Sequence, residues 1–515
     1  EKAVLFLNTK REANIDLSTG AVTAIGDVPS TGTIPYVNGG DYRAIIVPQT
    51  VAASTPLVSI TVGGTPYVLK KSEEFTYIPS KQHNFTITVN KRVGSGYEFV
   101  LSSESITAWE NDAVSHDATA REYIVINVEE AGMLKELLES SNNDVTKVKN
   151  LKITGSINVN DFYFMRDEMS ALQSLNLKEV KIEKGDDPYN YKEDYIPVFA
   201  FQDKRTLMRL VLPDKLVGIE PYAFYLCKNL TGSLIIPEGV IEIGDNAFGA
   251  CQSMTGTLQL PTTLEKIDNY GFNGCGFACE LVLPDKLAYI GDGAFSGCEN
   301  LYGSLKLPDK LTHLGEQAFR DCLSMSGSIE IPKSLTTISP HTFFTYYGNG
   351  AFTGNLKLHD GITSIGESAF NGSGLRGELN LPKDLVVISV DAFASCDFSG
   401  VLKIPNDVAI IGSGAFSNNW RLMGTVEFPK ALLSIGDRAF INCSSIEGLV
   451  FEDGIETIGK GAFENCYGIN KIVCKSAVPP VVMPGAFDGV PEYVCRRAEE
   501  IVKATRRIYE ERKQK

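Results

Sequence analysis

From residue 200 to about residue 490 one arrangement of apolar and polar positions keeps returning. Residues 236 to 251 read IPEGVIEIGDNAFGAC, 283 to 298 read LPDKLAYIGDGAFSGC, and 428 to 443 read FPKALLSIGDRAFINC. With the Phe near the end as a marker, the series is Phe201, Phe224, Phe248, Phe272, Phe295, Phe319, Phe343, Phe370, Phe393, Phe416, Phe440, Phe463 and Phe487. The step is 23 or 24 residues, with one exception of 27. A fixed period of this size is the signature of a solenoid, whose units bury their apolar faces against their neighbours.

Each unit carries its own elements. Eleven residues before the marker Pro is usual, as at Pro213, Pro237, Pro284 and Pro429. Ahead of it lies a short alternation such as Leu258-Gln259-Leu260, Leu305-Lys306-Leu307, Ile329-Glu330-Ile331 or Leu402-Lys403-Ile404. Two side chains point inward and one outward, the period of a half-buried strand, and Pro ends it for want of an N–H. Five residues before the marker comes Ile or Leu, often followed by Gly, as at Ile243-Gly244 and Ile435-Gly436; the glycine is expected to permit the corner of the coil. Thirteen coils at a strand spacing of roughly 4.8 Å would make a rod or arc on the order of 60 Å long, a surface without a pocket.

Other patterns flank the repeat. Residues 1 to 112 alternate in short runs such as Phe85-Thr86-Ile87-Thr88-Val89, with turns expected at Gly63-Gly64 and Gly94-Ser95, and predict an all-β module. A polar linker is expected over 111–121. Tyr123 to Ile126 reads as a strand, and 129–140 as a helix with Met133, Leu134, Leu137 and Leu138 on one face. Because a solenoid needs its first coil covered, residues 113–199 are read as linker, cap and degenerate repeats, with Leu151-Lys152-Ile153 and Leu175-Asn176-Leu177 already in the strand pattern. Residues 491–515 are read as a second cap, in which 498–515 form a basic helix with Ile501, Thr505 and Ile508 at helical spacing.

Composition removes some function classes. With 43% hydrophobic and 22% charged residues the chain is of ordinary globular type, and no run of apolar residues is long enough for a membrane helix. A formal charge of -15 argues against nucleic acid, whose binding requires a basic surface. The chain begins at Glu1 with no signal segment, so it is read as either cytosolic or a mature form whose targeting segment has gone.

Candidate chemistry is sparse. Of eleven cysteines, Cys227, Cys251, Cys275, Cys298, Cys322, Cys396, Cys443 and Cys466 stand three residues after a marker. Tyr346, Ser373, Asn419 and Val490 take the same place elsewhere, so the column is read as buried, unreacted thiols that fill space. Cys275 and Cys279 lack the second pair that a zinc site would need. His313, His341 and His359 occupy different phases of the repeat, and no nucleophile, base and orienting group converge, so neither an enzyme nor a cofactor is expected.

Two features could bind a ligand. The outward residues Gln259, Lys306, Glu330, Lys357, Asn380, Lys403 and Glu427 form a polar ribbon of both signs along one face, which suits a protein or glycan as readily as water. The long repeat inserts three or four residues within 344–352, offering Phe344, Tyr346, Tyr347 and Phe352 as aromatic contacts.

The pattern LPxxLxxIGxxAFxxCxxL resembles the BspA-type leucine-rich repeat of surface proteins from oral and gut anaerobic bacteria. DYRAIIVPQTV, PLVSITVGGTPYVL and HNFTITVNK, within 41–90, resemble the fimbrillin-like β-sandwich domains of the same bacteria. The resemblance implies a mainly β protein with a β-sandwich at 1–112 and a leucine-rich-repeat solenoid at 200–490. It also implies export, attachment at the cell surface or outer membrane, and adhesion to a host or microbial protein. Members of the family more often end in an extended segment than in a helix. A glycan-binding accessory role in nutrient uptake is the alternative.

Overall fold

The computed structural model describes residues 123–185, 192–346, 351–476 and 478–495 in full, and of residues 1–122 only the backbone of the strands. The expected linker at 111–121, the turns at 63–64 and 94–96, His116, Tyr347 and the basic helix at 498–515 lie outside the described residues, as does the side chain of His83. The chain divides into two compact units, Glu1–Lys181 with Thr206–Pro213, and Ile182–Arg205 with Asp214–Lys515.

The first unit begins with antiparallel strands, as the alternation predicts. Ala3–Phe6 pairs with Pro56–Val62, which pairs with Thr65–Lys70. Lys81–Lys91 pairs with Tyr97–Ala108 across a bulge at Thr86 and Ile87. Beyond residue 123 the pairing becomes parallel, with Ile124–Val128 on Asn150–Ile157 and Ser174–Ile182 on Arg209–Val211. Two helices, α1 (Leu134–Ser140) and α2 (Val159–Asp167), supply the crossovers that parallel strands require.

α1 is shorter than its hydrophobic spacing suggests. Gly132 has φ +96°, outside the helical range, so residues 129–132 form a turn; Leu134 and Leu138 are buried while Met133 faces solvent. The start of α1 is fixed from α2. The buried Asp161 carboxylate accepts N–H bonds from Gly132 (2.7 Å), Leu134 (3.0 Å) and Asn158 (2.9 Å), so one side chain caps both helices.

The second unit is a stack of coils. The marker Phe rings form an unbroken series, with neighbouring centroids 5.0 to 6.0 Å apart and planes within 18° of parallel. Those from Phe201 to Phe463 are wholly buried. Beside them each marker N–H donates to the carbonyl one residue before the next marker, from Phe201 N–H on Ala223 to Phe463 N–H on Ala486, at 2.6 to 3.0 Å. Ring stacking and backbone bonding thus repeat at the same pitch.

The most continuous sheet lies where the sequence pattern predicts a corner. Two-residue strands ending at the Ile or Leu five residues before the marker, or at Val482 in the last, pair in parallel from Tyr195–Ile196 to His313–Leu314, six in all, and again from Thr337–Ile338 to Val481–Val482, seven in all. The Pro-bounded side is shorter than expected in early coils. Leu258–Gln259 and Ile329–Glu330 each pair with one neighbour, Leu305–Leu307 forms no ladder, and only Arg376–Cys474 builds a five-stranded sheet.

The glycines of the Ile-Gly steps also act otherwise than expected. A Cβ on Gly315 would lie 2.4 Å from Asp292 N, and one on Gly436 would lie 2.3 Å from Ser413 N. Glycine is therefore needed for the close approach of successive backbones rather than for a corner. The corners lie two residues before and after the marker. Every residue two before it has φ between +51° and +72°, including Tyr222, Tyr270, Gln317 and Arg438. A left-handed conformation costs a non-glycine residue about 1–2 kcal/mol. Interlocking offsets this: Tyr222 N–H donates to Asp245 O and Tyr270 N–H to Asp292 O, each in the following coil.

Candidate functional site

The interior columns leave outward positions as the places where chemistry can vary. Among the described residues no group of three or more His, Cys, Asp or Glu side chains gathers as a metal site would require, and no helix is long and apolar enough to cross a membrane. The cysteine column is structural. All eight thiols are free and buried, and each donates to the carbonyl of the preceding coil's marker Phe at 3.0 to 3.3 Å.

The cysteines therefore do more than fill space. They satisfy a buried acceptor in every coil that carries one, and Asn419 takes over the role, its Nδ2 donating to Phe393 O at 2.7 Å. Burial pushes Cys227, Cys298, Cys396 and Cys466 up to about 12 from an ordinary 9.0, and the other four well above it. Such thiols are poor nucleophiles at neutral pH.

The histidines are likewise tied into the scaffold. His359 stands in the Pro column and places Nε2 at 3.1 Å from Pro332 O and 3.0 Å from Leu335 O, while its Nδ1 accepts from Gly361 N–H. His313 stacks on Tyr289 at 4.3 Å, and His341 meets Phe344 edge-on.

The polar ribbon is exposed at all seven positions. Register aligns Asn380 with Lys403 and Lys403 with Glu427, and Lys357 pairs with Glu330 at 3.0 Å. Gln259 aligns only with Ile235, and Val282, 70% exposed, stands in the sequence between Gln259 and Lys306. The ribbon is continuous in its later coils and interrupted in its early ones.

The insertion divides into two parts. Tyr346 is 70% exposed and lies edge-on to the half-buried Phe344, over which the Arg320 guanidinium sits at 5.3 Å. Phe352 is wholly buried and edge-on to Phe343 at 5.6 Å, with its N–H on Met325 O. It resumes the apolar column held by Met325 and Leu375 in adjacent coils, so the reading of Phe352 as a ligand contact is corrected: the extra residues precede it and it belongs to the core.

A second outward group went unnoticed in the sequence. Lys192 pairs with Glu220 at 2.9 Å and Glu242 at 2.7 Å and lies 4.4 Å over the Tyr195 ring. Gly218 makes this possible, since a Cβ there would lie 2.2 Å from Tyr195 Cε1. Burial first, then the Glu242 charge, push Tyr195 up to about 12. The sequence signal is the single glycine in a column of larger outward residues.

The model for the BspA type leucine rich repeat region matches residues 194–326, 267–399 and 345–470, and the fimbrillin-like model matches residues 1–109. No curated protein matches the chain. Similar solved structures include a leucine-rich repeat protein from Bacteroides ovatus, 22% identical over 60% of this chain and 70% of that one, with a TM-score of 0.43. Another is a leucine rich cell surface protein from Faecalibacterium prausnitzii, 18% identical over 86% and 95%, with a TM-score of 0.36. The pneumococcal vaccine antigen PcpA is 17% identical over 64% and 69%, with a TM-score of 0.30.

Proposed function

Since the chain belongs to the BspA-type leucine-rich repeat family, we propose that it is an exported, non-enzymatic recognition protein of the bacterial surface that binds a host or microbial protein through the outer face of its coils. The fimbrillin-like segment at 1–109 supports placement at the surface. In this reading residues 1–112 hold the coils of 200–490 away from the cell, between caps at 113–199 and 491–515.

The observation that carries the reading is the aligned run Asn380, Lys403 and Glu427, beside the Glu330 and Lys357 pair, all exposed. Charges of both signs fixed along one face select a partner by complementarity and speed encounter. Reversing Lys357 and Lys403 to Glu in the full chain is expected to lower capture of immobilised matrix and cell-surface proteins at least tenfold without moving the melting temperature. Capture at wild-type level would reject the ribbon as the binding face. A glycan-binding accessory role remains as a second reading, supported by the exposed Tyr346 of the insertion.

A further inference from the structure

We propose that the coils marked by Phe416, Phe440 and Phe463 carry a carbohydrate site for an extended β-1,4-linked hexopyranose chain, formed by the rings of Trp420 and Tyr467 and a ladder of asparagine amides. The site is distinct from the charged ribbon and from the insertion, and it stands whether or not the ribbon binds protein. Trp420 and Tyr467 are 52% and 61% exposed, large values for rings of this size. Each stands four residues after its marker, so they share one column with Ser444, half-buried, between them.

The spacing of that column sets the ligand. Marker rings step by 5.1 Å from Phe416 to Phe440 and by 5.2 Å from Phe440 to Phe463, so the two exposed aromatics stand two coil steps apart with a small residue at the intermediate step. In a β-1,4-linked chain each sugar is turned over relative to its neighbour, and the same face returns at every second unit. The length of such a disaccharide repeat matches two coil steps. An aromatic, a gap and an aromatic therefore meet a sugar face, its reverse and the same face again.

Both rings are held in place before any ligand arrives. The Arg421 guanidinium lies 4.7 Å from the indole and is tied to Asp397 at 2.9 Å, which steadies the ring through charge and π attraction. Tyr467 Oη donates to Asn465 Oδ1 at 2.8 Å, and its ring lies against Gly489, where a Cβ would come within 3.0 Å. Alongside runs a row of amides. Asn418 Nδ2 donates to Ser395 Oγ at 3.1 Å, Asn442 Nδ2 to Asn418 Oδ1 at 2.7 Å, and Asn465 Nδ2 to Asn442 Oδ1 at 2.9 Å. A carboxamide has two N–H donors and two acceptor lone pairs, so the ladder fixes each amide through part of its capacity and leaves the rest suited to sugar hydroxyls. Rigid aromatic contacts beside oriented polar groups bind at low ordering cost.

The chain has two tryptophans, Trp109 and Trp420, so in the full-length Trp109→Phe variant the indole emission reports on Trp420 alone. Titration of that variant with β-1,4-linked hexaoses of glucose, mannose and N-acetylglucosamine is expected to give a saturable blue shift with at least one of them, and maltohexaose, which is α-linked, none. By calorimetry Trp420→Ala and Tyr467→Ala should each weaken binding of that hexaose at least tenfold at unchanged melting temperature, with Trp420→Phe retaining most of it. The proposal is overturned if none of the three hexaoses binds, if maltohexaose binds equally well, or if both alanine variants bind as the wild type does. It is overturned too if Trp420→Ala abolishes capture of a protein while the hexaoses stay silent, which would assign the strip to a protein partner.

Discussion

Along the six-stranded sheet of the early coils, the outward position of the Ile-bearing strand is held by Tyr195, Gly218, Glu242, Lys266, Tyr289 and His313. Along the seven-stranded sheet that follows, the same position holds Thr337, Ser364, Val387, Ile410, Ser434, Thr457 and Val481. The early face is interlocked, with Lys192 bridging two carboxylates, Lys266 lying 5.3 Å over Tyr289, and Tyr289 stacked on His313. The late face is small or aliphatic, with Ile410 and Val481 open to solvent. Yet the inward partners are Ile or Leu almost throughout, and the Phe stack crosses the long repeat from Phe319 to Phe343 to Phe370 without a break. Interior columns specify the coil, and outward residues vary without disturbing it. That separation lets a solenoid change its ligand while keeping its fold.

Alkali should expose a difference hidden in the interior. Five of the eight column thiols lie before the long repeat and three after it. Their folded pKa values are raised, to about 12 where Cys227, Cys298, Cys396 and Cys466 are concerned, against an ordinary 9.0. A raised value means that the unfolded chain loses its protons first as pH rises, so stability is intact below about pH 9 and falls between about 9 and 12. Each thiol contributes up to about 1.4 kcal/mol per pH unit in that window. Hydrogen exchange at stepped pH is expected to show protection lost first in residues 200–325. Simultaneous loss in both halves would mean that the stack melts as one cooperative unit.

Removing a ring from the stack tests the claim that the interiors are equivalent. Phe295→Ala and Phe416→Ala should each cost about 3–5 kcal/mol in urea unfolding, as large apolar truncations in closed cores do. Both rings are wholly buried between stacked neighbours. Costs that differ by more than about 2 kcal/mol would show that the outward face feeds back on the core.

Much of this was legible from the sequence because periodicity reports burial directly. The marker column, the cysteine column and the exposed ribbon all follow from the 23- to 24-residue step. What escaped depends on contacts between coils. The left-handed corners at Tyr222 and Tyr270 fall on residues that avoid that conformation, so propensity pointed instead to the glycine of the Ile-Gly step. That glycine is required because a neighbouring backbone passes within reach of its missing Cβ, which is invisible in one repeat read alone. Phe352 was misplaced for a similar reason, since sequence gives the length of an insertion but not the residue at which the coil resumes. Asn419 was the informative exception: a polar residue in a thiol column signals a shared hydrogen bond, here to Phe393 O.

The smallest effect belongs to the early face itself. Lys192 is about one-third exposed and its two carboxylate partners lie half-buried on the outward face of the sheet, where screening and side-chain entropy consume most of the Coulomb gain. Lys192→Met is therefore expected to change stability by less than about 1 kcal/mol at low salt, and by less still at 1 M salt, where the Debye length shrinks to about 3 Å. Placed beside the Phe295→Ala cost, that figure measures how far surface and interior are decoupled. A loss of 3 kcal/mol or more from Lys192→Met, persisting in high salt, would mean that the bridge from Lys192 through Glu220 and Glu242 supports the first coils as the Phe stack supports the rest. The outward face would then be part of the fold and not free to diverge.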